Sequence, residues 1–189
     1  MKATGIVRRI DDLGRVVIPK EIRRTMRIRE GDPLEIYTDR EGEVIFKKYS
    51  PIGELASFAA QYAETLHKTC GLAVAICDRD TVISCAGISK REYADKALSE
   101  ALEHIMENRV FYAGSGDTEP KHIIRDGGTH TVSCAMPILS EGDVVGCVVS
   151  ARAAENDGAS ATGGDRMAFD IEAKLIQTAA NFLGKQLES

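Results

Sequence analysis

The hydrophobic and polar positions of residues 6–18 alternate in two short runs that predict β-strands. "GIVRRI" has a two-residue period, which places Ile6, Arg8 and Ile10 on one face of a strand. The polar "DDLG" that follows is typical of a turn, and the β-branched run "RVVI" after it predicts a second strand. That strand ends at Pro19, because proline has no N–H to donate to a neighbouring strand.

A short helix and a hairpin complete this first segment. Because proline suits the first turn of a helix, we expect a helix from about Pro19 to Arg27. Ile22 and Met26 lie four residues apart and form its apolar stripe. "EGDP" then turns the chain, and the runs "LEIYT" and "EVIFKKY" pair as a hairpin across "DREG". The predicted order of elements is β-β-α-β-β.

The small size of this first segment has a consequence for its assembly. Four short strands and one short helix bury too little apolar surface to be stable alone. We therefore expect an obligate dimer whose two copies share one core. Such a dimer also carries every basic side chain of the segment twice.

The apolar pattern of the remaining chain predicts an α+β domain. Helical spacing from Leu55 to Leu66 indicates an amphipathic helix that ends at Gly71. The other predicted elements are strands at "LAVAICD" and "TVISCAG", a helix from Arg91 to Asn108, short strands near Val110–Tyr112 and His122–Ile124, a hairpin of "HTVSCAMPIL" and "DVVGCVVSAR" across "SEGD", and a helix from Asp165 or Asp170 to about Leu187. This order predicts helices around a central antiparallel sheet. We expect "ENDGASATGGD" to be a flexible loop and "YSPIG" to be a hinge between domains at residues 1–51 and 53–189.

Charge divides the chain at nearly the same place. Residues 1–50 hold 12 Lys/Arg and 9 Asp/Glu, whereas the remainder holds 12 and 20, so a net +3 precedes a net −8 in a chain of net −5. Such asymmetry is typical of a nucleic-acid-binding segment attached to an acidic body. The chain has no apolar run long enough to span a membrane, and its first residues lack the apolar core of a signal peptide. We therefore expect a cytoplasmic protein without a membrane partner.

Five cysteines and four histidines raise the question of catalysis. The cysteines form no C-x-x-C pair, and most lie beside Ala, Val or Ile, which favours reduced and buried thiols. A redox sensor or nucleophile stays open, as does a thiol–imidazole pair of Cys85 or Cys134 with His122 or His130. The chain has no zinc-protease, deaminase or nucleophile-elbow motif, so we expect no enzyme activity, no catalytic residue, no metal and no cofactor.

The string "LGRVVIPKEIRR" resembles the N-terminal domain of the AbrB-type transition-state regulators of spore-forming bacteria, and the resemblance covers residues 3 to about 51. It implies a swapped-hairpin dimeric β-barrel that binds double-stranded DNA. The arginines that carry DNA contacts in that family are retained at Arg8, Arg15, Arg23 and Arg24. We add Arg9 and Lys20 because of their proximity and charge. Without a long recognition helix, we expect this surface to favour groove width and deformability over a single tight consensus.

The body resembles a GAF domain, a small-molecule-sensing module, on the less specific match "MPILSEGDVVGCVV". The resemblance implies an α/β/α sandwich that senses an unidentified small effector, mediates oligomerisation, or both. Segment 113–130 is either a lid over a pocket or a plain connection, and its Lys121 and Arg125 suit an anionic or polar ligand. The two resemblances together imply a transcription regulator of sporulation genes that both activates and represses.

The terminal helix of the body predicts a further level of assembly. Its apolar stripe consists of Phe169, Ala173, Ile176, Ala180, Leu183 and Leu187. Leu175, Ala179 and Phe182 widen the stripe beyond what packing on one sheet requires. We expect the terminal helices to bundle across subunits and to join two dimers into a tetramer. An alternative is an antitoxin-like or scaffold protein whose basic barrel binds an acidic protein partner. The globular body disfavours an antitoxin, because antitoxins of this barrel type continue into a disordered tail.

Overall fold

The computed structural model describes residues 4–114, 119–154 and 163–188, with the side chains of 163–167 left outside the description. The chain divides into two compact units, Met1–Tyr49 and Ser50–Ser189. None of the helices in the described ranges has the length and apolar content that crossing a membrane requires.

The first unit contains a short helix and a hairpin. Helix α1 is Lys20–Thr25, and strands β1 (Leu34–Thr38) and β2 (Val44–Lys48) pair antiparallel. The hairpin forms where it is predicted. Asp39 accepts hydrogen bonds from two backbone N–H groups of the loop, and Gly42 adopts a left-handed φ of +85°.

The two strands predicted before α1 do not belong to a sheet in the part of the chain that the structure describes. Residues 4–10 and 15–18 flank a turn, but they have no ladder partner, and no closed barrel forms within one chain. The physical reason is that a strand needs another strand's edge for its backbone N–H and C=O groups, and the β1–β2 hairpin pairs only with itself. The two segments and the turn between them leave these large apolar side chains exposed: Ile6, Val7, Ile10, Leu13, Val16 and Val17.

The second unit is built on a six-stranded antiparallel sheet, as predicted. Its strands are β3 (Ala73–Cys77), β4 (Val82–Ala86), β5 (Tyr112–Ala113), β6 (His122–Ile124), β7 (Gly127–Ser140) and β8 (Asp143–Ala153). The spatial order is β4-β3-β8-β7-β5, with β6 also paired to β7. The long β7–β8 hairpin confirms the predicted turn at "SEGD", where Glu141 and Gly142 both have positive φ.

Helices cover both faces of this sheet, so the predicted three-layer sandwich is confirmed. One face packs against α2 (Pro51–Glu54), α3 (Ala56–Cys70) and α6 (Gly163–Leu187), and the other against α4 (Lys90–Tyr93) and α5 (Glu100–Glu107). Alternate residues of β3 enter different cores. Val74 and Ile76 pack with α3 and α6, whereas Ala75 and Cys77 pack with α5, because successive side chains of a strand point to opposite faces.

Several predicted boundaries of the second unit are wrong. The expected hinge "YSPIG" contains helix α2, because Ser50 accepts a hydrogen bond from the N–H of Gly53 and Pro51 starts the first turn. The single helix expected over 91–108 is broken between α4 and α5. Asp95 has a φ of +60°, and Ser99 caps a new helix by accepting from the N–H of Leu102.

The remaining predictions for the second unit differ only at their ends. Gly71 ends α3 with a φ of +70°, as expected. The strand expected at Val110–Tyr112 is found at Tyr112–Ala113, and the last helix starts at Gly163. The flexible loop predicted at 155–165 lies mostly outside the described residues.

Candidate nucleic-acid interface

The basic residues predicted to contact DNA all lie on the surface of the first unit. Arg8 and Arg9 lie before the turn at 11–15, Arg15 lies at the end of that turn, and Lys20, Arg23 and Arg24 lie on α1. All six side chains are exposed. Two local structures, the turn at 11–15 and helix α1, therefore carry four of the six residues, and the other two directly precede the turn.

The turn is organised by the carboxylate of Asp11. Its Oδ1 accepts hydrogen bonds from the N–H of Leu13 at 3.0 Å and of Arg15 at 2.7 Å, and its Oδ2 accepts from Nε of Arg15 at 2.8 Å. Gly14 adopts a φ of +75°, which lets the chain reverse without strain. The backbone and side-chain hydrogen bonds from Arg15 lower the pKa of the Asp11 carboxyl below its ordinary value. Arg15 is thus held at both its backbone and its side chain.

Helix α1 is shorter than predicted and ends differently. Pro19 is buried and serves as the N-cap, so the helix proper starts at Lys20. Met26 lies beyond the helix and is 53% exposed, so it does not extend a buried stripe with Ile22. Arg27 has a φ of +51°, which turns the chain away from the helix axis.

A buried carboxylate connects the end of α1 to the hairpin. Asp32 has a side chain only 3% exposed, and it lies 3.5 Å from Nζ of Lys48 on β2. The same Nζ donates to the carbonyl oxygen of Arg27 at 3.0 Å, and Asp32 also accepts from the N–H of Arg29 at 2.8 Å. These contacts join the chain that follows α1 to strand β2.

Asp11, Asp32 and Lys48 make supporting contacts near the candidate interface, and the sequence interpretation did not predict them. The signal for Asp11 was its place at the start of a polar turn, where aspartate commonly accepts backbone hydrogen bonds. Asp32 lies in the predicted "EGDP" turn, but nothing in the sequence pairs it with a lysine sixteen residues away. The arrangement as a whole presents exposed arginine donors, of which Arg15 is held by Asp11. Such donors suit phosphate oxygens or guanine O6 and N7.

The second unit contains a polar groove that includes part of segment 113–130. The groove measures about 310 Å³ and is lined by Ser99, Ala101, Glu119, Pro120, Lys121, His122, Ile124, Arg125 and Gly127. The ring nitrogen Nδ1 of His122 is buried without a hydrogen-bond partner in the described structure. Arg125 lies 3.8 Å from Glu103. Much of the segment forms β6 and the start of β7, so it is not a lid over its described length.

The thiol–imidazole pairs left open by the sequence are not formed among the described residues. The sulfur of Cys134 lies 3.8 Å from Oε1 of Glu172, and the ring of His130 packs edge-on against Tyr93. Burial raises the pKa of the Cys85 thiol, and contact with Cys147 together with burial raises that of Cys77. Buried thiols with raised pKa values are poor nucleophiles.

Sequence comparison of the first unit defines the class of protein. The family model described as "Antidote-toxin recognition MazE, bacterial antitoxin" matches residues 7–53. The transition state regulatory protein AbrB of Bacillus subtilis (strain 168) is 65% identical over 51 residues, which are 27% of this chain and 52% of that protein. The solution structure of the N-domain of the transcription factor AbrB covers 26% of this chain and 92% of its own, with 65% identity and a TM-score of 0.24. The chain is a transcription regulator with an AbrB-type N-terminal domain.

The second unit and the whole chain identify the family. The model described as "Stage V sporulation protein T C-terminal, transcription factor" matches residues 54–188. Stage V sporulation protein T of Bacillus subtilis (strain 168) is 50% identical over 192 residues, covering 100% of this chain and 99% of that protein. The chain therefore belongs to the stage V sporulation protein T family. The crystal structure of the A. aeolicus nlh2 GAF domain covers 69% of this chain and 82% of its own, at 12% identity and a TM-score of 0.49.

Proposed function

We propose that this sporulation transcription regulator binds double-stranded DNA through Arg8, Arg9, Arg15, Lys20, Arg23 and Arg24, and that it both activates and represses its target genes. The observation that supports the proposal is that all six cations are exposed, with Arg8 and Arg9 directly before the 11–15 turn, Arg15 in it, and Lys20, Arg23 and Arg24 on α1. The role is one of binding and positioning on promoters rather than of catalysis.

Replacing Arg23 and Arg24 with Ala tests this assignment. Loss of two phosphate-binding cations per chain should abolish binding to a promoter fragment at physiological salt, because phosphate contacts supply much of the affinity for DNA. Each lost contact should also make the negative slope of log K against log salt shallower by about 0.9. The matched control is Arg40→Ala, which removes an equally exposed arginine from the hairpin loop. Equal affinity of the double variant and the Arg40 variant would refute the assignment.

We propose that a second copy of the chain completes the first unit. The two segments without ladder partners, and the exposed Ile36 and Phe46 that lie opposite each other in the hairpin, offer unpaired backbone and apolar side chains to such a copy. The swapped-hairpin barrel expected from the AbrB resemblance would pair these backbone groups and bury these apolar side chains. The dimer would present the six cations twice.

We also propose that the second unit joins two dimers into a tetramer. Phe58 and Tyr62 of α3 and Phe182 of α6 form an aromatic cluster, with ring centroids 5.6 to 6.3 Å apart. Phe182 is exposed, as large apolar residues at subunit interfaces are in an isolated chain. We expect light scattering to show a tetramer for the native protein and a dimer for Phe182→Glu. The control is Val110→Glu, which changes an exposed valine outside α3 and α6, and this variant should remain tetrameric.

The groove beside β6 is the proposed site of the effector. Lys121 and Arg125 supply positive charge to it within an otherwise acidic body, which suits a small anion or a polar ligand with a carboxylate or phosphate group. Native mass spectrometry of protein purified from its own cells should show an added mass that Arg125→Ala reduces. Retention of the same mass in that variant would place the ligand elsewhere.

A second candidate function rests on the match of residues 7–53 to a family of antitoxins. In that case the basic surface would bind an acidic protein instead of DNA. The two functions differ in a salt-titrated shift assay with unlabelled competitor DNA, because only DNA binding is displaced by the competitor.

A further inference from the structure

The carboxylate of Asp11 makes more contacts to Arg15 than a turn requires. A polar turn of this type needs only the acceptor for backbone N–H groups, which Oδ1 provides to Leu13 and Arg15. The second oxygen, Oδ2, accepts a separate hydrogen bond of 2.8 Å from Nε of Arg15. The side chain of Arg15 is 70% exposed, so this contact adds little to stability.

The atom that Asp11 uses determines what Arg15 can offer to a partner. A guanidinium group has five N–H donors in one plane, and Nε carries one of them. With Nε bound to Asp11, the four donors on the two Nη atoms remain, and their direction is fixed by the turn. Two parallel donors from Nη atoms match the O6 and N7 acceptors on the major-groove edge of guanine.

The charge of the pair favours a base over a phosphate. Asp11 and Arg15 together carry no net formal charge, so the pair adds direction to a complex but little general attraction to the DNA backbone. The arginines of α1 have no comparable carboxylate contact among the hydrogen bonds that the structure shows for the described residues, so the two groups of arginines are chemically different.

We propose that Asp11 is a positioning residue that orients Arg15 toward the edge of a guanine base. The inference rests on the proposed function, because it requires Arg15 to lie in the DNA interface. Asp11 itself does not contact DNA. It restricts the rotamers of Arg15 before binding, so less conformational entropy is lost when the complex forms.

The test compares two charge-matched variants of the full chain, Asp11→Asn and Asp12→Asn. Both remove one negative charge, but Asp12 takes no part in the hydrogen bonds of the turn. Asparagine at position 11 keeps an oxygen for the backbone N–H groups and loses the acceptor for Nε of Arg15. The probes are a duplex selected by the native protein from a random-sequence library and the unselected library itself.

We expect both variants to bind the unselected library more tightly than the native protein, because each gains one positive charge per chain. Only Asp11→Asn should lower the preference for the selected duplex, by about tenfold, which corresponds to one good bidentate base contact. Asp12→Asn should leave that preference within about twofold, as expected of a surface charge change. Equal preferences in the two variants would overturn the inference.

A double-mutant cycle with Arg15→Lys separates positioning from a general effect on the turn. Lysine keeps the charge but has no Nε donor and no fork, so Arg15→Lys should itself lower the preference. Asp11→Asn should then add nothing when it is combined with Arg15→Lys. A full additional loss in the double variant would mean that Asp11 acts through the turn and not through Arg15, which overturns the inference.

The outcomes also separate this inference from the proposed interface. If Arg15→Ala and Arg15→Lys both keep the native preference and affinity, Arg15 is not in the interface, and the proposed site is wrong at this position. If these variants lose binding while Asp11→Asn behaves like Asp12→Asn, the interface stands and the positioning role alone fails.

Discussion

The two units of the chain place their apolar side chains in opposite environments. Among the described residues, all of the buried hydrophobic side chains lie at Ile52 or later in the sequence. Sixteen large hydrophobic side chains are exposed in the ranges that the structure describes, and twelve of them lie between Ile6 and Tyr49. The second unit therefore has the buried cores of an independent domain. The first unit has enough large apolar side chains for a core, but most of them are exposed in the single chain. The comparison supports the proposal that a second copy of the chain completes the first unit.

The largest expected effect follows from adding charge to the unpaired segments of the first unit. Val17 is 70% exposed in the single chain, yet we expect Val7→Asp with Val17→Asp to abolish DNA binding and dimerisation, because both valines would be buried between copies. Val110, which is 61% exposed in the second unit, gives the control substitution Val110→Asp. Shift assays and sedimentation should find the control unchanged. A double variant that still dimerises and binds DNA would show that these valines face solvent in the assembly.

The five cysteines, all in the second unit, differ in their exposure. Cys70 is exposed at the end of α3, whereas Cys77, Cys85, Cys134 and Cys147 are buried. At neutral pH we expect an alkylating reagent to modify Cys70 within minutes and the other four only through unfolding, which slows their reaction by roughly a thousandfold or more. Peptide mass mapping over time measures the rates. Rapid modification of a buried cysteine would reveal an activated thiolate and revive a redox role.

The core of the second unit predicts a smaller effect that is confined to stability. Ile176 on α6 is fully buried, and Ile176→Ala should lower the free energy of unfolding by about 3 kcal/mol through lost transfer energy and a cavity. Ile171 lies on the same helix and is exposed, so Ile171→Ala should change the value by less than about 0.5 kcal/mol. Denaturant unfolding of the full chain measures both. Similar values for the two would mean that an assembly interface also covers Ile171.

The smallest expected effect concerns protonation in the first unit. Because the pKa of Asp11 is lowered in the folded state, its contribution to the turn is fully present above its ordinary value of 3.8 and is lost as the pH falls through the lowered value. Carboxyl chemical shifts of the full chain, followed as a function of pH, should show this low pKa. In Arg15→Ala the pKa of Asp11 should rise only part of the way toward the ordinary value, because the backbone N–H of residue 15, the larger cause of the lowered pKa, is kept. An unchanged pKa would mean that the Nε hydrogen bond contributes nothing to the lowered pKa in solution.

The sequence predicted much of the second unit because its elements form within one chain. The Gly71 helix end, the β3–β4 pair and the β7–β8 hairpin depend on nearby residues, so their local signals are sufficient. The prediction of one helix over 91–108 was wrong, although the apolar spacing of this stretch is helical. Leu98 instead forms a β-bridge with Ile124, which belongs to a distant segment of the chain. Periodicity alone carries no information about such a partner.

The candidate site was predictable in its cations but not in its supporting contacts. Exposed arginines are visible as charge on a polar pattern, and the AbrB resemblance selects among them. The contact of Asp32 with Lys48 joins residues from different elements, and that distance exists only in the folded chain. The partnerless segments before α1 had the pattern of strands, but pairing is a property of the assembly and not of one chain.

Strand β3 separates two cores, and this has a consequence for how the protein can change over generations. Val74 and Ile76 belong to one core and Ala75 and Cys77 to the other, so substitutions at neighbouring positions never compete for the same space. The lining of the core beside α5 can therefore diversify while the lining beneath α6 stays as it is. A deletion of a single residue in β3 would exchange both linings at once, and such lineages should be absent from natural populations.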